Sequence, residues 1–326
     1  MTARRTLLTA LASLTALGLL TACGEGDASS AITSGTSDQK KEGGLNLGPE
    51  QNRVHTAKVD ALAAKLPEAV RKRGTLVLGV SSGGAAPLNF RATDDKTLIG
   101  VELDLATLVA DALGLKPEFN AVSWENLFVG LDSGKYDGVF SNVTVTEERK
   151  DKYDFATYRL DDLAFEAKKG SGWKVKGPED VAGKTIAVDS GTNQEKILVD
   201  WSAQNEKAGR KPVDIKYFQT PSDYYLALQS GRIDAYLGPN PVAAYHVLSA
   251  GQSEIVGKLS GAGDKLQGKI AATTKKDSGL VEAYAGAIDH IVGNGTYAQV
   301  LKRWGLDSEA VPKSEINPPG LPRTKN

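Results

Sequence analysis

Apolar positions along this chain fall into short blocks of two alternating kinds. Thr75-Leu76-Val77-Leu78-Gly79-Val80 is a continuous run of strand length, and Lys116 to Val122 reads as the next strand. Between them Ile99 to Leu113 is strongly apolar, with Glu102, Asp104 and Asp111 spaced on an outer face and Gly114 as its stop, which predicts an amphipathic helix. Ala61, Leu62, Leu66, Ala69 and Val70 fit a helical face ahead of the first strand. Trp124 to Leu131 reads as a further helix, Asp137 to Val145 as a strand running into a Thr-rich loop, and Glu147 to Lys150 as a charged turn. The second half repeats the alternation, with strands at Thr185 to Asp189, Asp214 to Phe218 and Ile233 to Leu237 separated by helical runs. Leu163 to Lys168 reads as a strand crossing between the halves and Lys269 to Thr273 as the return. Leu280 to Trp304 supplies two helices split at Gly293-Asn294-Gly295.

Two of these blocks carry nearly the same residues. Leu131-Asp132-Ser133-Gly134-Lys135-Tyr136-Asp137 and Leu228-Gln229-Ser230-Gly231-Arg232-Ile233-Asp234 each end a helix at Ser-Gly, place a basic residue, and open a strand at Asp. Their separation is far longer than a solenoid unit and matches the size of a small lobe. Two similar α/β lobes leave a crevice where the carboxyl ends of their strands meet, the usual place for a small ligand.

The beginning of the chain has another character. Arg4 and Arg5 precede an uncharged Leu- and Ala-rich run from Thr6 to Ala22, the layout of an export signal, too short for a comfortable membrane span. It ends in Leu20-Thr21-Ala22-Cys23-Gly24, which resembles a bacterial lipobox. Cys23 is the one cysteine, so no internal disulfide is available, and diacylation of Cys23 would anchor the chain to a membrane without spanning it. From Gly24 to Thr56 small and polar residues dominate without periodicity, as in a tether.

The chain has 326 residues, with 39 basic against 40 acidic side chains, so it offers no basic surface for nucleic acid. Neither His55, His246 nor His290 lies near a cysteine or paired carboxylates at metal-ligand spacing, and no nucleophile elbow, phosphate loop or dinucleotide fingerprint is present. No cofactor or metal is expected. Tyr224, Tyr225 and Tyr236 read as packing residues.

Gly74-Thr75-Leu76-Val77-Leu78-Gly79-Val80, Gly100-Val101-Glu102-Leu103-Asp104-Leu105-Ala106, Ser133-Gly134-Lys135-Tyr136-Asp137, Ser141-Asn142-Val143-Thr144-Val145-Thr146-Glu147-Glu148-Arg149 and Gly295-Thr296-Tyr297, in this order, resemble the family 3 solute-binding proteins of amino-acid ABC importers. The resemblance spans about Arg71 to Leu306. It implies an α/β, periplasmic-binding-protein-like (type II) clamp: two lobes, each a mixed sheet with flanking helices, joined by two crossing strands. The expected division is a signal peptide over 1–22, a disordered tether over 23–56, the first lobe over 57–166 and 274–311, an inserted second lobe over 167–273, and a flexible tail over 312–326. It further implies a monomer that holds an amino acid or related small carboxylated solute on the outer face of the cytoplasmic membrane and delivers it to a permease and its ATPase. A dehydratase on the same clamp and a ligand-presenting sensory protein are the other readings.

In that family the arginine matching Arg149 holds the substrate carboxylate, helped by the positions of Asn142 and Thr144, with Ser141 beside them. A guanidinium can grip a carboxylate with two parallel charge-assisted bonds. Equally, Arg149 could pair with Glu147 or Asp151 on a solvated turn. Ser190-Gly191-Thr192-Asn193 resembles the family's second anion-capping loop at a helix start, although Thr192 or Asn193 could simply cap that helix. Trp124 either lines the cleft or packs at a helix start.

The chain departs from the family in two places. Where amino-acid binders place an Asp for the ammonium, this chain has Pro239, then Asn240, which can accept only a weaker bond. An ammonium would then need another acid, such as Asp162, Asp189 or Asp223. The loop Ser81 to Pro87, where many relatives carry an aromatic, holds only small residues.

Overall fold

A computed structural model describes residues 41, 42 and 44–323. The expected signal segment, Cys23 and the tether as far as residue 40 lie outside the described residues. The first lobe is built from strand β1 (Thr75–Ser81), helix α1 (Val101–Leu113), strand β2 (Lys116–Val122), helix α2 (Trp124–Asp132) and the short strand β3 (Gly138–Val139). A long strand, β4 (Tyr153–Lys168), leads into the second lobe: β5 (Thr185–Val188), α3 (Asn193–Lys207), β6 (Asp214–Tyr217), α4 (Pro221–Gln229), β7 (Ala235–Pro239) and α5 (Asn240–Ala250). Strands β8 (Ser253–Ser260) and β9 (Gly268–Lys275) return, and helices α6 (Val281–Gly293) and α7 (Thr296–Trp304) complete the first lobe.

Both lobes use the same pairing. In the first, β1 lies between β2 and β3, parallel to both; in the second, β5 lies between β6 and β7, again parallel to both. The repeated segments explain the match. Asp137 accepts a hydrogen bond from the Val77 amide at 2.7 Å and pairs with Arg73, while Asp234 accepts from the Thr185 amide at 2.9 Å and pairs with Lys184. In each lobe the Asp thus satisfies an amide near the start of the central strand, that of Val77 in the first and of Thr185 in the second. Gly134 and Gly231 take φ of 74° and 75°, the left-handed conformation that ends a helix without a Cβ penalty.

Strand β4 belongs to both lobes. As far as Asp161 it pairs with β9, and from Asp162 onward with β8 and then β7. The crossing therefore falls between Asp161 and Asp162, and β9 lies wholly in the first lobe, which moves the boundaries of the inserted lobe from the expected 167 and 273 to about the middle of β4 and the end of β8. Residues Tyr153 to Asp162 escape a pattern reading because Asp154, Arg159, Asp161 and Asp162 interrupt the apolar run.

Helix α1 is buried almost all round, and its expected outer face is covered: Glu102 and Asp104 are fully buried. Asp104 accepts from Arg53 Nε at 2.8 Å and Trp304 Nε1 at 2.8 Å. Arg53 belongs to the expected tether, which the structure corrects: Leu45 and Gln51 are buried, and Arg303 binds Gln51 Oε1 at 2.6 Å, so residues 44–56 pack on the first lobe. Burying Leu45 and satisfying Asp104 supply a reason for that segment to order.

The expected flexible tail is corrected likewise. Ile316 bridges Ala156 and Leu321 bridges Thr146, while the Leu321 side chain joins the apolar cluster of the second lobe. Arg323 pairs with Asp151 at 2.5 Å. Leu321 is 5 % exposed. Leu321→Ala is expected to destabilise the protein by about 2 kcal/mol in urea denaturation, the lower end for truncating a buried leucine; a change under about 0.5 kcal/mol would mean that the tail contributes no packing.

Candidate functional site

The strands of both lobes point their carboxyl ends at one junction. A cavity of about 570 Å³ lies there, lined from the first lobe by the end of β1, the small-residue loop after it, the start of α2 and Ser141-Asn142, and from the second by the loops that follow β5, β6 and β7. Small residues after β1 allow close approach: a Cβ on Gly83 would meet the Gln219 carbonyl at 3.0 Å across the cleft. Trp124 Nε1 donates to the Gly191 carbonyl at 3.3 Å, Arg149 Nη2 to the same oxygen at 3.0 Å, and Lys196 pairs with Glu148 at 3.3 Å. All of these join one lobe to the other.

Five of the predicted site residues line this cavity: Ser141, Asn142, Trp124, Thr192 and Asn193. Ser141 Oγ accepts from the Ser81 amide at 2.9 Å, fixing the end of β1 beside it. Asn142 sits at φ 53°, and its Oδ1 accepts from Arg159 Nη2 at 2.6 Å. Thr192 caps α3, accepting from the Glu195 amide at 3.3 Å and donating to the Asp189 carbonyl at 2.6 Å. Capping and cavity lining coexist, as the two readings of this loop allowed. Asn193 is buried and donates through Nδ2 to Asp161 Oδ2 at 3.1 Å and to the Gly261 carbonyl at 2.9 Å.

Thr144, Arg149 and Asn240 do not line this cavity. Thr144 is buried with its hydroxyl donated to Asp161 at 2.7 Å. Asn240 begins α5, and its buried Oδ1 has no hydrogen-bond partner. Arg149 borders a second hollow, separated from the first by Gly191, Thr192 and Asn193. Its Nη1 donates to the Thr144 carbonyl at 2.9 Å and its Nη2 to Gly191, so both ends of the fork rest on main-chain carbonyls. The rings of Trp124 and Phe128 stand 5.4 and 5.3 Å from its Cζ. Burial lowers its pKa to about 10, still fully cationic at neutral pH. The solvated-turn alternative does not hold, because Glu147 pairs with Lys150 and Asp151 with Arg323.

Pattern reading missed the buried polar groups beneath the site. Asp161 ties Thr144 of the first lobe to Asn193 of the second at the point where β4 changes lobe, and burial pushes its carboxyl up to about 6. Arg159 orients Asn142 while bound to Glu102 at 2.6 Å and to Glu309. Of the three alternative acids, only Asp189 lines the cavity; Asp162 binds Gln267 at 3.1 Å and Asp223 binds Thr220 at 2.7 Å. The aromatic side chains missing after β1 are matched by Phe218, Tyr224 and Tyr236 on the second lobe. Among the described residues no group of His, Cys, Asp and Glu is arranged to hold a metal ion, and no helix is long and apolar enough to cross a membrane.

Two α/β lobes joined by β4 and by the return from β8 to β9, with a cavity at their strand ends, define a type II solute-binding clamp. The chain belongs to the bacterial extracellular solute-binding proteins, family 3, whose model matches residues 76–307. The L-cystine-binding protein of Escherichia coli is 31% identical over 236 residues, 72% of this chain and 84% of that protein. The arginine-binding protein of Corynebacterium glutamicum is 28% identical over 261 residues, 79% of this chain and 83% of that protein. Among solved structures, an ancestral arginine-binding protein bound to arginine superposes with a TM-score of 0.62 at 32% identity, covering 71% of this chain and 98% of that one. An ancestral amino-acid-binding protein described as a precursor of cyclohexadienyl dehydratase reaches the same TM-score at 28% identity, covering 73% of this chain and 98% of the other.

Proposed function

We propose that this solute-binding protein captures an amino acid or a related small carboxylated solute by closing its two lobes, and hands it to an ABC permease. The observation that carries this reading is the cavity between the strand ends of both lobes, with the Arg149 guanidinium beside it and bonded across the junction to Gly191. A guanidinium resting on two neutral carbonyls, with Asp161 and Glu148 acting on it only at a distance, has its donors prearranged, and a carboxylate is a better partner for them. In this reading the solute carboxylate takes Arg149 from those carbonyls, with Ser141, Asn142 and the start of α3 completing its cradle. The Gly191 amide is already given to Glu195 at 2.6 Å, so amides deeper in the turn are left for the solute.

Binding without chemical conversion is part of the reading: the relatives described above are named for binding cystine and arginine, and of His55, His246 and His290 none lines the cavity. Cys23, acylated after removal of residues 1–22, would hold the receptor as a monomer on the outer face of the cytoplasmic membrane, with 24–40 as a tether to the folded part. The test is a thermal-shift panel of amino acids, opines, amines and small carboxylates on the purified protein. A rise in Tm confined to carboxylated solutes is expected, and no rise with any of them overturns the proposal. Because one similar structure is described as a dehydratase precursor, incubation with prephenate and arogenate belongs in the same experiment; an aromatic product would replace binding by catalysis.

A further inference from the structure

We infer that Asp189, on the second lobe, accepts a cationic group of the bound solute, an ammonium or a guanidinium, in the part that Pro239 leaves open. This rests on the cavity proposed above as the solute site. Asp189 follows β5 and lines that cavity, and among the described residues its one side-chain hydrogen bond comes from Tyr236 Oη at 3.0 Å. No basic side chain pairs with it among the described residues, whereas the other buried carboxylates of the junction have donors in number: Asp161 has Thr144 and Asn193, and Glu102 has Arg159 and Tyr158.

The surroundings of Asp189 are those of a cation site left half-built. Glu125 reaches the same cavity from the start of α2 on the opposite lobe, and its charge acts on Asp189. Two carboxylates that face one cavity from opposite lobes oppose closure, and a cation between them reverses the sign of that term. The rings of Tyr224 and Tyr236 stack 3.8 Å apart along this wall, with Phe218 nearby, and aromatic rings favour cations over anions. One residue beyond Pro239, Asn240 Oδ1 is a buried acceptor without a donor. On the other side of Gly191 the second hollow mixes Arg149, Lys152 and Lys196 with Glu148, Asp151 and Glu195; Lys196 pairs with Glu148 and Lys152 with Asp132, while Arg149 rests on main-chain carbonyls. A solute that spans from Arg149 toward Asp189 would present a carboxylate at one end and a cation at the other. With no cation beside it, burial pushes the Asp189 carboxyl up to about 6; a bound cation would draw it down again.

Calorimetry on wild type and Asp189→Asn tests this with four probes: L-arginine, L-citrulline, which replaces the guanidinium by a neutral urea, N-acetyl-L-arginine, which lacks the ammonium, and agmatine, which lacks the carboxylate. Asparagine keeps an oxygen for Tyr236, so the variant should fold; an unchanged Tm confirms that. Wild type should lose about tenfold or more when one of the two cations is removed, and Asp189→Asn should bind L-arginine about thirtyfold more weakly while no longer sensing that removal. A variant that keeps wild-type affinity, or discriminates among the probes as wild type does, overturns the assignment. Agmatine separates this inference from the carboxylate reading. Agmatine bound as tightly as L-arginine, and lost in Asp189→Asn, keeps the cation acceptor and removes the carboxylate reading. L-citrulline and N-acetyl-L-arginine bound as tightly as L-arginine, with no effect of Asp189→Asn, remove the cation acceptor and keep the carboxylate reading. Binding of none of the four overturns the cation acceptor, while the carboxylate reading stands or falls with the thermal-shift panel.

Discussion

An Arg159→Met protein is expected to be less stable than wild type by about 3 to 5 kcal/mol, the range for removing one partner of a buried ion pair. Arg159 is 1 % exposed and lies between Glu102 and Glu309, with Asn142 as its third acceptor. Removing the guanidinium leaves two carboxylates buried without compensation, and that desolvation cost outweighs any packing that Met restores. Burial already pushes the Glu309 carboxyl up to about 7, even though the Arg159 guanidinium beside it draws it down. A carboxyl raised in the folded state lowers stability above its folded pKa and ceases to do so as pH falls toward its unfolded value. Without Arg159 this carboxyl rises further, so the loss should be greatest above about pH 7 and should shrink toward pH 5. Urea denaturation at both pH values measures it; an equal loss at each would mean that the charges do not cause it. Since Arg159 also fixes Asn142, the surviving folded fraction should bind solute more weakly.

Arg149→Ala is expected to cost about 2 to 5 kcal/mol of binding free energy for a carboxylated solute, roughly 30- to 4,000-fold in affinity. The estimate takes Arg149 as one member of a desolvated charge pair in the complex, and the main-chain carbonyls of Thr144 and Gly191 as its partners otherwise. Arg149→Lys should recover only part of the loss, because an ammonium is a point charge and cannot present two parallel donors. Calorimetry with the solute found in the thermal-shift panel, together with the Tm of each variant, separates binding from structure. A lower Tm with unchanged affinity would assign Arg149 to pinning Gly191 to the first lobe and would remove it from the site.

Several parts of this molecule were legible in the sequence. The segments ending in Asp137 and Asp234 announced two equivalent lobes, and they perform the same task in each, stopping a helix and binding an amide near the start of the central strand. These devices use neighbours in sequence or a single strand partner, so local chemistry reports them. The residues Ser141, Asn142, Trp124, Thr192 and Asn193 were singled out through the family resemblance, and the structure places them along the cavity because each follows a strand end or starts a helix, and such positions converge at the junction. Arg149 was legible as a group near the cleft, yet the orientation of its guanidinium toward two carbonyls was not, because both acceptors are main-chain atoms that any residue could supply.

The charges of the first half of β4 hide it from a pattern reading, and those of α1 suggest an outer face that the fold in fact buries. Arg159 and Glu102 lie 57 residues apart, and Arg159 and Glu309 150 apart, so a pattern window sees lone charges where the fold holds a satisfied network. Leu45, Gln51 and Leu321 sit in stretches rich in polar residues and Pro, and only the groove they occupy gives them a reason to order.

By itself, then, the amino-acid order determined the class of fold, the doubling of its lobes and the strand ends from which a site would be made, because periodicity, caps and turn residues act over a few positions. Which charges are buried, where the chain crosses between lobes, and that Asp189 faces the cavity while Arg149 stands behind Gly191 were decided by tertiary structure. Those outcomes depend on partners distant along the chain, whose proximity exists only once both lobes have formed.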